Sequence, residues 1–374
     1  MVVVAAAALL LAGCGEGSGG SGGSGSEGGS SGESGESEDT NASVCDSAEG
    51  DGPKIGVAYD VGGRGDLSFN DSAYEGLEKA VEEFDATCTE AEAAPGESNV
   101  EREERLRQLA DAGYDPIIAT GYIYSPDVAV VSQEFPQVSF AVVDGYTSFV
   151  NDTKNYVPVE NAVDLNFAAE QGSFLVGVAA ALKTKTGTVG FLGGVNNPLI
   201  QAFEAGFKAG VLEADPKVKV VTTYLSQSDT QKGFENRSGG KTASDGLYDD
   251  GADIVYHAAG KSGLGLFDSV AEQGEGKWAI GVDSDQYLTA SKDQQPHILT
   301  SMLKRVDVSV FDYVQSFVDG EIEGGIVNYD LKGDGVGYST SGGFVDDIEG
   351  ELQDYATQIE SGDIEVPTDP TKVG

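Results

Sequence analysis

The chain has 374 residues, 39% of them hydrophobic, which is enough for two packed domains of ordinary size. Its 63 acidic and 22 basic residues give a formal net charge of −41. This balance excludes nucleic-acid binding as a function class, because a basic face cannot be assembled against such an excess of carboxylates. We interpret the acidic residues as a solvated surface whose mutual repulsion is screened by salt, which suits a salt-rich habitat without requiring one.

The N-terminal segment has the pattern of an export signal. Its first 13 residues are nearly all apolar and end in the sequence Leu-Ala-Gly-Cys at Cys14. The run is too short to span a bilayer as a helix, but it suits the apolar segment of a secretory signal peptide. Leu-Ala-Gly-Cys resembles a bacterial lipobox, so residues 1–14 predict a lipoprotein signal with lipidation at Cys14. The alternative is a chance cysteine behind an ordinary signal peptide.

A segment rich in Gly, Ser and Glu follows over residues 15–52, without a Lys or Arg. Such a composition buries too little apolar surface to offset the entropy of ordering, so it predicts a disordered tether. As a Gly/Ser coil, the tether would reach about 30–40 Å on average. A lipid, a tether and a globular body together predict a protein anchored on the extracytoplasmic face of the cell membrane.

Two cysteines remain after Cys14, namely Cys45 and Cys88. In an exported chain, a remaining pair of this kind suggests a disulfide bond. The bond would fix the end of the tether to the C-terminal side of the first predicted helix. Two buried thiols that are not bonded to each other are the alternative.

From Lys54 onward, short apolar runs alternate with segments of helical periodicity. The predicted strands are 54–59, 115–120, 138–143, 187–192, 218–225, 252–259 and 277–282. The predicted helices are 70–84, 100–112, 161–183, 198–214, 240–250, 262–273 and 304–319. Most strand segments are continuous apolar runs, which predict parallel strands covered by helices on both faces. We expect the long helix 161–183 to separate two such α/β units.

Glycine and aspartate residues stand where the predicted strands end. In open parallel sheets, ligands bind beyond the carboxyl ends of the strands. The residues at these ends include Asp60, Gly121, Asp144, Gly194, Gly260 and Asp283. Glycine lets a ligand approach the backbone, and a carboxylate accepts hydrogen bonds from hydroxyl or ring N–H groups. Each residue alone is equally compatible with an ordinary turn, so the prediction of a binding crevice depends on the whole set.

Signatures of catalytic and metal sites are incomplete in this sequence. His257 and His297 lack partners at metal-ligand spacing, and no Gly-x-Ser-x-Gly motif occurs. The glycines at 63–65 do not continue into a dinucleotide fingerprint. Residues 260–262 resemble the end of a phosphate-binding loop, but Val255 stands where its leading glycine would be. We therefore expect no enzymatic activity, no cofactor and no metal site, and we interpret His257 as a core residue.

A set of longer motifs gives a family resemblance. The motifs are IGVAYDVGG (55–63), DLSFN (66–70), EGL (75–77), EQGSFLVG (170–177), FEAGF (203–207), YHAAG (256–260), GVDSDQ (281–286) and SMLKR (301–305). Together they resemble the basic membrane protein family, whose members are lipoproteins similar to the purine-nucleoside-binding component of ABC importers. The resemblance covers about 54–345, which is essentially the whole predicted body.

The resemblance implies an α/β architecture of the type I periplasmic-binding-protein fold, with two Rossmann-like lobes joined by a three-stranded hinge. Lobe 1 is expected at 53–165, completed by about 300–325. Lobe 2 is expected at 166–299, completed by about 326–374. The implied function is that of a monomeric, extracytoplasmic solute-binding lipoprotein that delivers a purine nucleoside to an ABC transporter permease.

The family also implies a ligand site, which we transfer motif by motif. The expected ligand-binding residues are Asp60, Phe69, Asn70, Asp144, Phe234, Gly260, Asp283 and Lys304. The two phenylalanines would stack on the base, although the sequence around Phe234 departs from the family's Gly-Phe-Asn-Asp-Pro. Phe69 packing on Tyr74, and Phe234 packing within its own loop, are the alternatives. Lys304 near a predicted helix start is unfavourable for the helix dipole, which suggests a ligand hydroxyl or Asp283 as its partner.

Other functions remain compatible with the sequence. One is a binding protein for another ligand, such as a sugar or a flavin-like aromatic molecule. Whether two rings face each other across the cleft would discriminate this interpretation from a nucleoside-binding protein. Another is a receptor whose loaded form docks on a membrane sensor. A nucleotide-dependent oxidoreductase is the third, and the incomplete phosphate fingerprint together with export argues against it.

Overall fold

A computed structural model describes residues 43–151 and 153–374. The predicted signal, the lipidation of Cys14 and most of the predicted tether lie outside the described residues. Within the described part of the chain, none of the helices is long and apolar enough to cross a membrane.

Strands and helices alternate along most of the described chain. The strands are β1 (Lys54–Ala58), β2 (Thr87–Ala91), β3 (Ile117–Thr120), β4 (Phe140–Val143), β5 (Ala162–Phe167), β6 (Thr188–Val195), β7 (Lys219–Ser226), β8 (Ile254–Ala258), β9 (Trp278–Asp283), β10 (Ile298–Lys304), β11 (Gly325–Tyr329) and β12 (Val336–Tyr338). The helices are α1 (Phe69–Phe84), α2 (Asn99–Asp111), α3 (Ser125–Glu134), α4 (Ala169–Lys183), α5 (Pro198–Ala214), α6 (Thr230–Phe234), α7 (Arg237–Asp249), α8 (Leu264–Gln273), α9 (Gln286–Thr289), α10 (Val306–Asp319) and α11 (Glu349–Glu360). Every predicted strand and helix overlaps an observed element of the same type.

Two sheets define two lobes, each with six strands among the described residues. Their orders are β2-β1-β3-β4-β5-β11 and β7-β6-β8-β9-β10-β12. Neighbouring strands are parallel, except that β12 pairs antiparallel with β10. The first five positions of each sheet follow the doubly wound order, in which ligands bind where the strand order reverses. The expected fold class of two Rossmann-like lobes is confirmed.

Each sheet has an apolar core on both of its faces. Helices α1 and α10 cover one face of the first sheet, and α2 and α3 cover the other. In the second lobe, α4, α5 and α11 lie on one face, whereas α7 and α8 lie on the opposite face. Strands β3, β4 and β8 are buried along their whole length, which explains why their sequences are continuous apolar runs.

Within the described residues, the chain passes between the lobes three times. The passages lie between β5 and α4, between β10 and α10, and between β11 and β12. Two expected boundaries need correction, because residues 298–304 belong to the second sheet and residues 325–329 to the first. Neither β10 nor β11 was predicted, so the expected boundaries near residues 300 and 325 fell within strands instead of between them.

The predicted helix 161–183 is two elements. Residues Ala162–Phe167 form β5, which pairs with β4 and β11, and the helix α4 begins at Ala169. The predicted helix 304–319 likewise begins at Val306, and Lys304 is the last residue of β10. Lys304 therefore lies at the carboxyl end of a strand, so the predicted conflict with a helix dipole does not arise.

The folded body begins earlier than residue 53. Cys45 is disulfide-bonded to Cys88 in β2, across a sequence separation of 43 residues. The backbone N–H of Val44 donates a hydrogen bond to the Tyr74 hydroxyl at 2.9 Å, and Val44 packs on the core of the first lobe. The expected tether boundary at residue 52 is therefore too late, since this segment is bonded and packed against the first lobe.

Candidate functional site

A cavity lies between the lobes, at the carboxyl ends of strands from both sheets. Its empty space amounts to about 560 Å³, a value that includes open solvent at the cavity mouth. All eight residues predicted to bind the ligand line this cavity, namely Asp60, Phe69, Asn70, Asp144, Phe234, Gly260, Asp283 and Lys304. The structure thus brings the whole set together, while the role of each residue toward a ligand stays a prediction.

Asp60 follows β1 and is held by its neighbours. Its backbone N–H donates to Thr120 Oγ1 at 2.9 Å and to Asn70 Oδ1 at 3.2 Å, and its Oδ1 accepts from the Val61 N–H at 2.6 Å. Gly121 has a φ of 96°, and a Cβ there would lie 2.0 Å from Asp60 Oδ2. Glycine is therefore required beside this carboxylate. Burial raises the pKa of Asp60 to about 7.

Asp66 and Asn70 hold Asp60 in place through consecutive hydrogen bonds. The Asp66 carboxylate accepts hydrogen bonds from the backbone N–H groups of Ser68, Asn70 and Asp71 at 2.9–3.2 Å, and from Asn70 Nδ2 at 3.0 Å. These bonds satisfy the first turn of α1 in the manner of a helix cap. The Asn70 amide is thus engaged on both sides, and its evident effect is to orient Asp60. Burial raises the pKa of Asp66 to about 6.

Lys304 is the cation of the cavity and is only 2% exposed. Its ammonium group donates to Asp144 Oδ2, so the ion pair joins a strand of the second sheet to the end of β4 in the first. The expected partner within the protein was Asp283, and the structure corrects it to Asp144. The Lys304 Nζ also lies 4.7 Å from the ring centroid of Phe69, 5.0 Å from that of Phe167 and 5.7 Å from that of Phe203. The rings favour a buried cation through their quadrupoles.

Asp283 ends β9 and is buried to the same degree as Asp144. Its Oδ1 has no hydrogen-bond partner among the described residues. Burial raises the pKa of Asp283 to about 7; the positive charge of Lys304 opposes this shift, whereas Asp144 and Asp66 add to it. A buried carboxylate oxygen without a donor is costly. Asp283 therefore lines the cavity with a carboxyl group whose Oδ1 has no donor among the described residues.

Two aromatic rings border the cavity, one from each lobe. Phe69 is the first residue of α1, and Phe234 is the last residue of α6. A Cβ at Gly194 would lie 2.4 Å from the Phe234 ring, so the glycine in β6 lets this ring lie against the strand. Each ring also packs on the core of its own lobe. Packing and exposure to the cavity occur together.

Several lining residues were not predicted. They are Val61, Asp66, Tyr122, Leu199, Ile200, Phe203, Ala258, Ala259 and Val282. Leu199, Ile200 and Phe203 lie in the first two turns of α5, just beyond the end of β6. The strand-end rule that pointed to Asp60 could have found them, because a helix that follows a parallel strand begins at the same edge of the sheet.

The cavity as a whole is rich in acceptors. Its lining includes four carboxyl groups, those of Asp60, Asp66, Asp144 and Asp283, and one basic side chain, that of Lys304. Apolar and aromatic side chains supply most of the remaining wall. Such a site suits a flat apolar body that carries N–H and O–H donors, and it disfavours an anion. A cleft of this kind between two Rossmann-like lobes defines a solute-binding protein.

Comparison with known proteins identifies the family. Residues 53–369 match the Bmp family, described as "ABC transporter substrate-binding protein PnrA-like". The chain belongs to this family, and the resemblance to basic membrane proteins is confirmed. Its general role is therefore that of a substrate-binding protein of an ABC transporter.

Individual relatives agree with this assignment. The CD4+ T-cell-stimulating antigen of Listeria monocytogenes is 32% identical over 330 residues, and basic membrane protein A of Borreliella burgdorferi is 33% identical over 319 residues. Each alignment covers 84% of this chain and 88% of the relative. An uncharacterised lipoprotein of Pyrococcus abyssi is 35% identical over 298 residues, covering 76% of this chain and 68% of the relative.

Solved structures give the same fold. A solute-binding protein of an ABC transporter system from Aeropyrum pernix K1 superposes with a TM-score of 0.71 at 26% identity, covering 85% of this chain and 94% of that one. A solute-binding protein from Conexibacter woesei superposes with a TM-score of 0.66 at 21% identity, covering 84% of this chain and 99% of that one. At the latter identity, the similarity concerns the fold alone.

Proposed function

We propose that this protein is a lipid-anchored, extracytoplasmic binding protein that holds a purine nucleoside between its lobes and delivers it to an ABC transporter permease. The observation that carries the proposal is the composition of the interlobe cavity. It combines a ring from each lobe, Phe69 and Phe234, with the acceptor oxygens of Asp60 and Asp283. A purine nucleoside is a flat apolar base with ring N–H groups, joined to a sugar with hydroxyl donors.

The energetics of capture follow from these contacts. Stacking on an aromatic side chain contributes about 1–3 kcal/mol per base in nucleic-acid binders, and we expect a similar contribution from Phe69 and from Phe234. The carboxylates discriminate between ligands, because a buried polar group left without its partner costs about 1–3 kcal/mol. Closure of the lobes excludes water from both kinds of contact. A purine nucleoside satisfies both, whereas free ribose satisfies the carboxylates alone.

The anchor and the partner are supported by different observations. The sequence Leu-Ala-Gly-Cys at Cys14 and the following Gly/Ser/Glu segment support lipidation and tethering. A relative named as a lipoprotein in Pyrococcus abyssi has the same family body. Family membership supports an ABC transporter permease as the partner that receives the ligand.

Titration calorimetry with inosine, guanosine, adenosine, hypoxanthine and ribose tests the proposed ligand. We expect purine nucleosides to bind more tightly than hypoxanthine, and hypoxanthine more tightly than ribose. Phe69→Ala should weaken every purine ligand by about 1–3 kcal/mol, because it removes stacking area.

Phe311→Ala is the matched control for this experiment. The Phe311 ring stacks on Phe84 with centroids 5.4 Å apart and does not line the cavity, so purine affinity should be unchanged. Ribose binding as strongly as inosine would contradict the stacking contribution. Binding of ribose with no binding of any purine would replace the proposed ligand by a sugar.

A further inference from the structure

We propose that Leu67 and Gln286 form a latch that holds the two lobes closed and sets how slowly a ligand leaves. This inference rests on the proposed binding function but concerns residues outside the cavity wall. Neither Leu67 nor Gln286 lines the interlobe cavity. The latch is therefore distinct from the residues that contact the ligand.

Leu67 lies in the loop between β1 and α1, and the loop presents it to the opposite lobe. Its φ is 53°, a left-handed conformation that is uncommon for leucine. Asp71 maintains this conformation, because its carboxylate accepts from the backbone N–H groups of Gly65 and Leu67, each at 2.8 Å. A strained residue that its neighbours fix in this way is often functional.

The Leu67 side chain packs on the second lobe although its backbone belongs to the first. It joins the apolar cluster that contains Leu264 and Phe267. The same side chains, with Ala290, line a small cavity beside the cleft. The contact exists only while the lobes are together, so it adds apolar burial specifically to the closed state.

Gln286 provides the polar half of the latch. Its Nε2 donates to the Leu67 carbonyl oxygen across the cleft at 3.1 Å. The side chain itself is fully buried in the second lobe, where its Oε1 accepts from the Val282 N–H at 2.8 Å and faces His257 Nε2 at 3.0 Å. Because Oε1 is an acceptor, the geometry assigns the proton of His257 to Nε2. The donor aimed at Leu67 is thus held rigidly.

The position of Gln286 joins the latch to the ligand site. Val282, whose N–H bonds to Gln286, lines the interlobe cavity, and the adjacent Asp283 supplies the acceptor without a partner. Two further bonds cross the cleft near the latch, from Ser284 Oγ to the Ser68 carbonyl oxygen and from Lys261 Nζ to the Gly62 carbonyl oxygen, each at 3.1 Å. A ligand that orders this wall of the cavity also orders the latch.

The test uses Leu67→Ala in the full chain, with inosine as the probe in stopped-flow association and dissociation. Loss of a contact present only in the closed state should raise the dissociation rate about tenfold while changing the association rate less than about twofold. The control is Leu288→Ala, which removes the same atoms from a side chain that is 68% exposed on α9 and should change neither rate. A protein that was merely less stable would lose active fraction instead of releasing ligand faster.

Hydrogen exchange measured without any nucleoside tests the latch independently of the proposed ligand. In Leu67→Ala, exchange should increase in peptides spanning 61–71 and 284–294, and Leu288→Ala should match the original protein in the first of these. If the original protein fails to bind inosine, the proposed function is wrong, and the exchange result alone decides the latch. An unchanged dissociation rate, or unchanged exchange where inosine does not bind, would overturn the latch.

Discussion

Asp144 and Asp283 occupy equivalent positions in the two lobes. Each stands at the carboxyl end of the fourth strand of its sheet, each has a φ near 60°, and each is 8% exposed. Their partners differ, because Asp144 accepts from the Lys304 ammonium group, whereas Asp283 Oδ1 has no partner among the described residues. One scaffold, used twice, therefore places a carboxylate paired with a cation on one side of the cavity and a carboxyl group with an unpartnered oxygen on the other.

The difference shows how a repeated fold acquires distinct roles without a change of backbone. Burial disfavours both carboxylates, and what separates them is whether a cation offsets this cost. Asp144 should therefore behave as part of the structure, and Asp283 as part of the ligand site. Substitutions at the two positions test whether Asp144 acts mainly on stability and Asp283 mainly on ligand binding.

The largest effect is expected from Asp144→Ala. The substitution leaves the Lys304 ammonium group buried without its carboxylate, which should lower the free energy of unfolding by about 3–5 kcal/mol. Urea denaturation measures this change. The control is Asp268→Ala, since Asp268 pairs with Arg237 at the surface and should cost less than about 1 kcal/mol. Equal losses of unfolding free energy in the two variants would show that the buried ion pair stabilises the fold no more than the surface pair does.

Asp283→Ala should act on binding more than on folding. Lys304 keeps its Asp144 partner in this variant, so the main loss is an acceptor for a ligand hydroxyl. We expect inosine affinity to fall by about 1–3 kcal/mol and hypoxanthine affinity to fall less, because the free base has no ribose. Titration calorimetry with both ligands measures the difference. Equal losses for base and nucleoside would show that Asp283 does not contact the ribose.

The pH dependence of stability gives a gradual effect, and the most specific one. Burial raises the pKa of Asp283 from 3.8 to about 7, so the folded protein retains a proton that the unfolded chain has lost. The original protein should therefore lose stability as pH rises from about 4 to 7, by on the order of 1 kcal/mol per pH unit from this group. Asp283→Asn removes this titration, so its stability relative to the original protein should rise over that range and level off above it. Urea denaturation across the range would show a constant difference if the Asp283 pKa were ordinary.

The sequence predicted which residues line the cavity better than it predicted which of them pair with one another. Asp60, Asp144, Gly260 and Asp283 were found because parallel strands end at one edge of a sheet, which local patterns can indicate. The pairing of Lys304 with Asp144 joins residues 160 positions apart. No local sequence pattern indicates whether Lys304 contacts Asp144 or Asp283, because both carboxylates end equivalent strands. The structure was needed to identify the partner.

Strands β5 and β10 were missed for similar physical reasons. In β5, Ala162–Phe167 leads into α4 without a Gly or Pro to mark the boundary, so the two apolar patterns merged into one predicted helix. Strand β10 has polar Thr300 and Ser301 in its centre and depends on pairing with β9 and β12. Strands of this kind are specified by their neighbours more than by their own periodicity.

The most direct test of the central proposal is native mass spectrometry after incubation with an equimolar mixture of purine nucleosides, free bases and sugars. We expect one purine nucleoside to be retained per chain in the original protein, and occupancy to be strongly reduced in Asp283→Ala. A retained sugar, or the absence of any retained purine, would contradict the proposed function.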